Sequence, residues 1–465
     1  MIEEAALKRN TLIATTAASF LTPFMGSSVN LAIPTIGKEF GADAFLLGWV
    51  VTSYLLASAA FLLPFGKVAD ILGRRKIFVS GIVCFIFFSF LCGLSRNIHM
   101  LIVLRVFQGI SSAMIFGTGI AILTSVFPAS ERGRVLGINS ATVYAGLSLG
   151  PVLGGALNHY LGWQSIFYVN AVMGLGTLFF IRRLKGDWFG APGERFDALG
   201  SVLYTAGLIS LMYGISSITN SALAKISILA GIVLLATFVA YEHRIESPLL
   251  DLKLFSANAA FAFSNLAALI NYSATFAVGY LLSVYLQSAL GYDSQAAGLI
   301  LLAQPLVMAV LSPIAGRMSD KVQPRKLAST GMAITAAGLL GFAHISTGTS
   351  LYVLIFFLLF FGSGLAFFTS PNTNAVMGSV ERTCYGVASS TLGTMRLIGQ
   401  AISMALVTLV MAFYLGNTEL AKAPVSRLLT SIDTLFYIFA ALCFAGIFAS
   451  LARGSVSTCG IPEKK

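Results

Sequence analysis

The sequence predicts an all-α integral membrane protein: two six-helix bundles plus two inserted helices, fourteen transmembrane helices in all. Three observations predict it. The chain of 465 residues is 57% hydrophobic and only 10% charged, with a mean hydropathy of +0.86. A soluble domain is about 45–50% apolar and about 25% charged. The apolar residues fall into fourteen runs, each near the about 20 residues that span a bilayer. One charged cluster is written twice, as "GKVADILGRRK" at Gly66–Lys76 and as "GRMSDKVQPRK" at Gly316–Lys326, 250 residues apart.

The runs cover roughly 11–34, 46–65, 77–95, 100–127, 135–158, 164–181, 198–218, 223–241, 257–280, 294–316, 327–345, 351–376, 384–413 and 431–452. The first follows "MIEEAALKRN", whose acids precede its bases. It is longer than a signal-peptide core and reads as a helix that stays. The third, "IFVSGIVCFIFFSFLCGL", and the twelfth, "LYVLIFFLLFFGSGLAFF", are continuous apolar stretches. The fifth and thirteenth are rich in Gly, Ala and Ser, which let helix backbones approach closely in lipid, so both are expected inside the bundle.

The basic residues test this count, because cytoplasmic loops carry an excess of Lys and Arg. With both termini cytoplasmic, 22 of the 29 basic residues fall inside and 5 outside, while Arg105 and Arg396 lie within helices. The net charge of +11 therefore faces the inner leaflet, and nucleic acid is not an expected partner. The five cysteines form no CxxC pair and the four histidines stand apart, so neither a disulfide framework nor a metal site is expected.

Both copies of the charged cluster fall between spans, second to third and tenth to eleventh. The same 250-residue shift maps spans 1–6 onto spans 9–14. The domain reading follows: a first bundle at 1–183, a linker with two extra helices at 184–256, and a second bundle at 257–465. Repeated halves with a pocket between them are a transporter design. In each cluster Asp follows Gly by four residues, and a basic pair follows Asp by five. Gly66 and Gly316 permit tight turns and close contact. Asp70 and Asp320 are expected to sit before a new helix, whose N-terminus stabilises a carboxylate. With Gly73, Arg74, Arg75 and Arg325 they make a candidate gate; the alternative is a positive loop that only fixes orientation.

These features resemble the major facilitator superfamily over almost the whole chain. "GKVADILGRRK" is similar to the family's loop between its second and third helices. "LIVLRVFQG" at Leu101–Gly109 resembles its fourth-helix motif, and "GLSLGPVLGG" at Gly146–Gly155 resembles the fifth-helix motif associated with antiporters. "FDALG" at Phe196–Gly200, "YLQSALGY" at Tyr285–Tyr292 and the fourteen spans resemble the 14-helix drug:proton antiporter branch. The resemblance implies an ionic gate at Asp70 and Arg74 and a proton-coupling role for Arg105, followed by Gly109. It implies a kinked, close-packed helix at Gly146, Gly150, Pro151, Gly154 and Gly155, for which ordinary helix packing is the alternative. "FMGSSVNLAIP" departs from the branch: it keeps Asn30, Ala32 and Pro34 but has Met25 where the branch has Asp.

All 18 acids fall in loops, tails or helix ends, whereas Arg105 and Arg396 lie within spans. A mid-helix arginine is seldom lipid-facing. Each either reads substrate or locks helices together. With Asn30, Tyr54, Tyr144, Gln304 and Gln400 they make the candidate substrate-binding set. Phe85, Phe87, Phe88, Phe360 and Phe361 suit lipid or core better than a drug-stacking wall.

The function expected is proton-coupled efflux of amphipathic drugs or toxic compounds by alternating access, a multidrug, antibiotic-resistance role in the cell membrane. The alternative is carriage of an anionic or neutral organic metabolite read by Arg105 and Arg396, since an arginine fork suits carboxylate or phosphate. A membrane sensor that moves nothing has no need of two gate loops. No P-loop, paired catalytic carboxylates or metal cluster points to an enzyme, and no cofactor is expected. The expected partners are a small-molecule substrate, protons and the lipid bilayer, with the protein monomeric.

Overall fold

The computed structural model describes residues 2–42, 44–182, 186–216, 222–245, 248–250, 253–292, 294–415 and 424–454. Asp43, Arg183, Lys185, Glu246, Asp251, Asp293, Glu419, Lys422, Cys459, Glu463, Lys464 and Lys465 lie outside the described residues.

Long helices account for nearly all of the described chain. They are α1 Ile2–Phe40, α2 Ala44–Leu72, α3 Arg74–Gly93, α4 Ile98–Val126, α5 Ala129–Leu161, α6 Gln164–Ile181, α7 Ala198–Ser216 and α8 Ala222–Glu242. Then follow α9 Ala259–Val284, α10 Gln295–Lys321, α11 Pro324–Phe342, α12 Leu351–Gly378, α13 Tyr385–Leu415 and α14 Val425–Ala452. Helices satisfy their backbone polar groups internally, which a bilayer core demands. Among the described residues 13 are long and apolar enough to cross a membrane. The fourteenth, α11, is diluted by Gly, Ala and Thr, and those small residues seat it: Gly331 lies against the backbone of Gly364 and Phe368, and Gly338 against Phe361.

Several helices overshoot their apolar runs. Helix α5 begins at Ala129 because its first turn finds polar partners: Lys8 Nζ lies 3.5 Å from Glu131, and Arg132 donates to the Met377 carbonyl at 3.1 Å. Helix α9 breaks at Phe276–Ala277, where the Ala277 amide donates instead to Ser403 Oγ at 3.1 Å. Asn97 and Asn258 cap α4 and α9 through the Met100 and Phe261 amides at 2.8 and 3.0 Å.

Helices α1–α6 enclose one apolar core, with Met25, Phe78, Phe85, Trp163 and Phe167 inside. Helices α9–α14 enclose another around Leu339, Phe342, Phe361 and Phe436. The phenylalanines divide as lipid solvation requires: Phe85 and Phe361 are in the cores, while Phe87, Phe356, Phe413 and Phe448 are exposed on the outside. The bundles meet along two seams, α5 with α10 and α2 with α13. The inserted pair covers the second seam. Tyr204 on α7 reaches Thr394 on α13 at 3.0 Å, and Thr205 donates to the Ala60 carbonyl on α2 at 3.1 Å. Leu208 and Phe238 pack there with Leu56, Leu63 and Val387.

Candidate functional site

The two repeated loops lie on one face, and there each carboxylate crosses to the opposite bundle. Asp70 closes α2 and is 1% exposed. Arg74 donates to it from Nε at 2.8 Å and from Nη2 at 2.7 Å. The same guanidinium donates to Ser125 Oγ at 2.6 Å and to the Arg382 carbonyl of the other bundle at 2.7 Å. Asp70 Oδ2 accepts the Val387 amide, in the first turn of α13, at 3.2 Å. Asp320 closes α10 and accepts the amides of Gly133 and Arg134, near the start of α5, at 2.7 and 2.9 Å. The helix starts that receive these carboxylates are therefore in the opposite bundle, not the next helices along the chain as the loops alone suggest.

The two corners differ in their cations. Counting 250 residues on from Arg74 gives Pro324, which opens α11 and has no charge to offer. Arg325, the expected partner of Asp320, stands beside Arg453 instead, whose guanidinium burial and that neighbour hold down to about 10. Gly66 and Gly316 are close-contact residues within helices: Gly66 lies against Gly386 and Ser390, Gly316 against Gly133. The turn is made by Gly73, with φ of 108°.

Sequence reasoning missed Arg132 and the linker. Arg132 donates to the Tyr385 hydroxyl at 2.7 Å, and Arg74 and Arg132 both lie against the Tyr385 ring, 5.7 and 5.3 Å from its centroid. The signal was present: Glu131-Arg132 recurs as Glu381-Arg382 at the same 250-residue shift. The linker grips the first loop. Asp187 accepts the Arg75 amide at 2.9 Å and Trp188 the Arg74 amide at 2.9 Å. The amides of Gly190 and Ala191 both donate to the Asp70 carbonyl at 2.9 Å, and Glu194 pairs with Lys67 at 2.6 Å.

Arg105 is fully buried inside the first bundle. It donates to the Val50 carbonyl at 3.0 Å and to Gln108 at 2.6 Å, and it lies 4.3 Å from the Tyr54 ring centroid. Gln108 passes on to Ser89 at 2.7 Å, and Tyr54 to Ser112 at 2.8 Å. This network ties α2, α3 and α4 together, and Arg105 and Tyr54 do not line the cavity between the bundles. Gly109 lies against the Tyr54 carbonyl, while Gly146, Gly150 and Gly154 lie against α1, where Ser28 donates to the Gly150 carbonyl at 3.0 Å. Pro151 and Gly155 are half-buried in the same helix, and Met25 is fully buried in the core.

Between the bundles lies a cavity lined from both. Phe116, Ile120, Leu136, Asn139 and Tyr144 face Thr369, Thr373 and Arg396. Its volume is about 20 Å³, far below the about 300–1,000 Å³ of a small-molecule site. Tyr144 donates to Thr369 at 3.0 Å, closing it from side to side. Arg396 lies 5.0 Å from the Tyr272 ring centroid, and its buried Nε has no acceptor. Of the candidate binding residues, Tyr144 and Arg396 line the cavity. Gln400 and Gln304 are half-buried elsewhere on α13 and α10, and Asn30 is exposed on α1. The lining holds one cation and no carboxylate.

The Major Facilitator Superfamily model matches residues 15–267 and 264–457. The chain belongs to the major facilitator superfamily. It is thus a multi-pass transporter of small molecules rather than an enzyme. It is 31% identical to the riboflavin transporter RibZ of Clostridioides difficile, over 93% of this chain and 94% of that one. It is 31% identical to the multidrug resistance protein Stp of Mycobacterium tuberculosis, over 88% of this chain and 76% of that one. Among solved structures, the proton:xylose symporter XylE superposes with a TM-score of 0.68 at 14% identity, covering 95% of this chain and 96% of that one, a likeness of fold alone.

Proposed function

We propose that this major facilitator is a proton-coupled exporter of amphipathic organic compounds that works in the cell membrane as a monomer with both termini cytoplasmic. The bundles 1–183 and 257–465 rock about the Arg396 cavity, with 184–256 between them. One observation carries this reading. The hydrogen bonds that join the bundles, from Arg74, Arg132, Gly133, Tyr144, Val387 and Ser389, lie between the loop face and the Tyr144–Thr369 level. That is the pattern of a pathway shut on one side, and the excess of basic residues on that face supports reading the shut side as cytoplasmic.

The cavity's charge favours neutral or anionic amphiphiles over cations, because Arg396 is its one ionic group. The runner-up, carriage of an anionic or neutral metabolite, draws on the same arginine and on RibZ, the relative named for riboflavin. Everted vesicles energised by a pH gradient separate the readings. Uptake of varied neutral and anionic dyes, abolished by a protonophore, is expected. Uptake of riboflavin alone favours the metabolite carrier, and uptake unaffected by collapsing the gradient rules out proton coupling.

A further inference from the structure

Two buried acids that this transport scheme does not use meet at the foot of the inserted helix pair. Asp197 caps α7: its Oδ1 accepts the Gly200 amide at 2.9 Å, and the Ser201 hydroxyl donates to its carbonyl at 2.6 Å. Glu242 ends α8, and its Oε2 accepts the Leu250 amide at 3.2 Å. Asp197 is 9% exposed and Glu242 4%. One oxygen of each remains, and both Asp197 Oδ2 and Glu242 Oε1 are buried without a donor. These two atoms converge. A Cβ on Gly200 would strike both, so the two oxygens lie within a few ångströms of each other.

Among the described residues Tyr241 also faces the pair, its hydroxyl donating to Asp197 Oδ1 at 3.5 Å. Among the described residues no Lys, Arg or His forms an ion pair with either acid. Two carboxylates in buried contact with no cation cannot both stay ionised. Two ionised carboxylates are also acceptors only, so their contact becomes a hydrogen bond only when one of them carries a hydrogen.

We infer that Asp197 and Glu242 hold one proton between them, an acid O–H on one donating to the carboxylate oxygen of the other, and so form a proton-binding site at the foot of α7 and α8. A divalent metal is a poorer occupant. It needs six or more oxygens for calcium or near-octahedral geometry for magnesium, and here one oxygen of each acid already serves a backbone amide. The shared proton joins the ends of a helix pair whose other contacts cover the α2–α13 seam, through Tyr204 and Thr205. Its loss places two like charges at that joint.

The inference does not depend on what the protein transports, and it is tested on the full chain in nanodiscs without substrate. Infrared difference spectra at neutral pH are expected to contain a protonated-carboxyl stretch. That band should fade as pH rises and should be absent from both Glu242→Gln and Asp197→Asn. Each variant supplies an amide N–H in place of the proton, so both should fold, and their unfolding temperatures should vary less with pH than the wild type's. If one variant fails to fold, the other carries the test, and the wild-type band can be titrated without either. A spectrum with no such band at neutral pH, or a band that persists in the variants, overturns the assignment.

Discussion

Gly133 of α5 and Gly316 of α10 stand back to back across the seam, each leaving no room for a Cβ against the other's carbonyl. The contact sits beside the bonds from the Gly133 and Arg134 amides to Asp320. Backbone on both sides cannot yield as a flexible side chain does. Gly316→Ala is therefore expected to weaken the shut arrangement by roughly 1–3 kcal/mol. The half-buried thiol of Cys384, near the start of α13, reports it. In a variant retaining only that cysteine, maleimide labelling should quicken at least severalfold, and an unchanged rate would count against the seam's role in closure.

Asp70→Asn removes the charge that faces Arg74 and leaves a guanidinium 1% exposed without its counter-ion. Breaking a buried pair by removing one partner costs about 3–5 kcal/mol. Transport should fall further than the amount of protein reaching the membrane. Equal losses would return the loop to a purely topogenic role. Arg74→Lys should rescue poorly, since an ammonium cannot reproduce the fork that serves Asp70, Ser125 and the Arg382 carbonyl together.

Arg396→Ala is expected to reduce transport of anionic substrates by about tenfold or more, which corresponds to about 1.4 kcal/mol, and to leave cationic dyes unaffected or better handled. Uptake assays in everted vesicles with matched anionic and cationic fluorophores make the comparison. Loss of both classes alike would mean that Arg396 serves packing.

Arg105→Ala should act on the first bundle's stability rather than on substrate choice. It strands the Val50 carbonyl and Gln108 in a fully buried site, and each buried polar group left unmade costs about 1–3 kcal/mol. A lowered unfolding temperature with an unchanged ranking of substrates is the expected result. A changed ranking, or a loss of proton dependence in protein of normal stability, would return Arg105 to the coupling role that the family resemblance implies.

The sequence by itself determined the helices, because a bilayer leaves apolar runs no other way to satisfy their backbones. It also determined the internal repeat, since a 250-residue shift is legible without coordinates. Three relationships were decided only by the tertiary structure. Asp70 and Asp320 reach the opposite bundle because the helix starts they meet, at Val387 and Gly133, are far along the chain but adjacent at the seam. Arg105 and Arg396 look alike as lone arginines in apolar helices, yet one is locked within a bundle and the other lines the cavity, a difference set by which helix face meets a neighbour. Asp197 and Glu242 read separately as two helix ends, and only the packing of α7 on α8 brings their unpartnered oxygens together. Periodicity and hydropathy are local properties of the chain, whereas a bond between residues hundreds of positions apart depends on how the helices are arranged around one another.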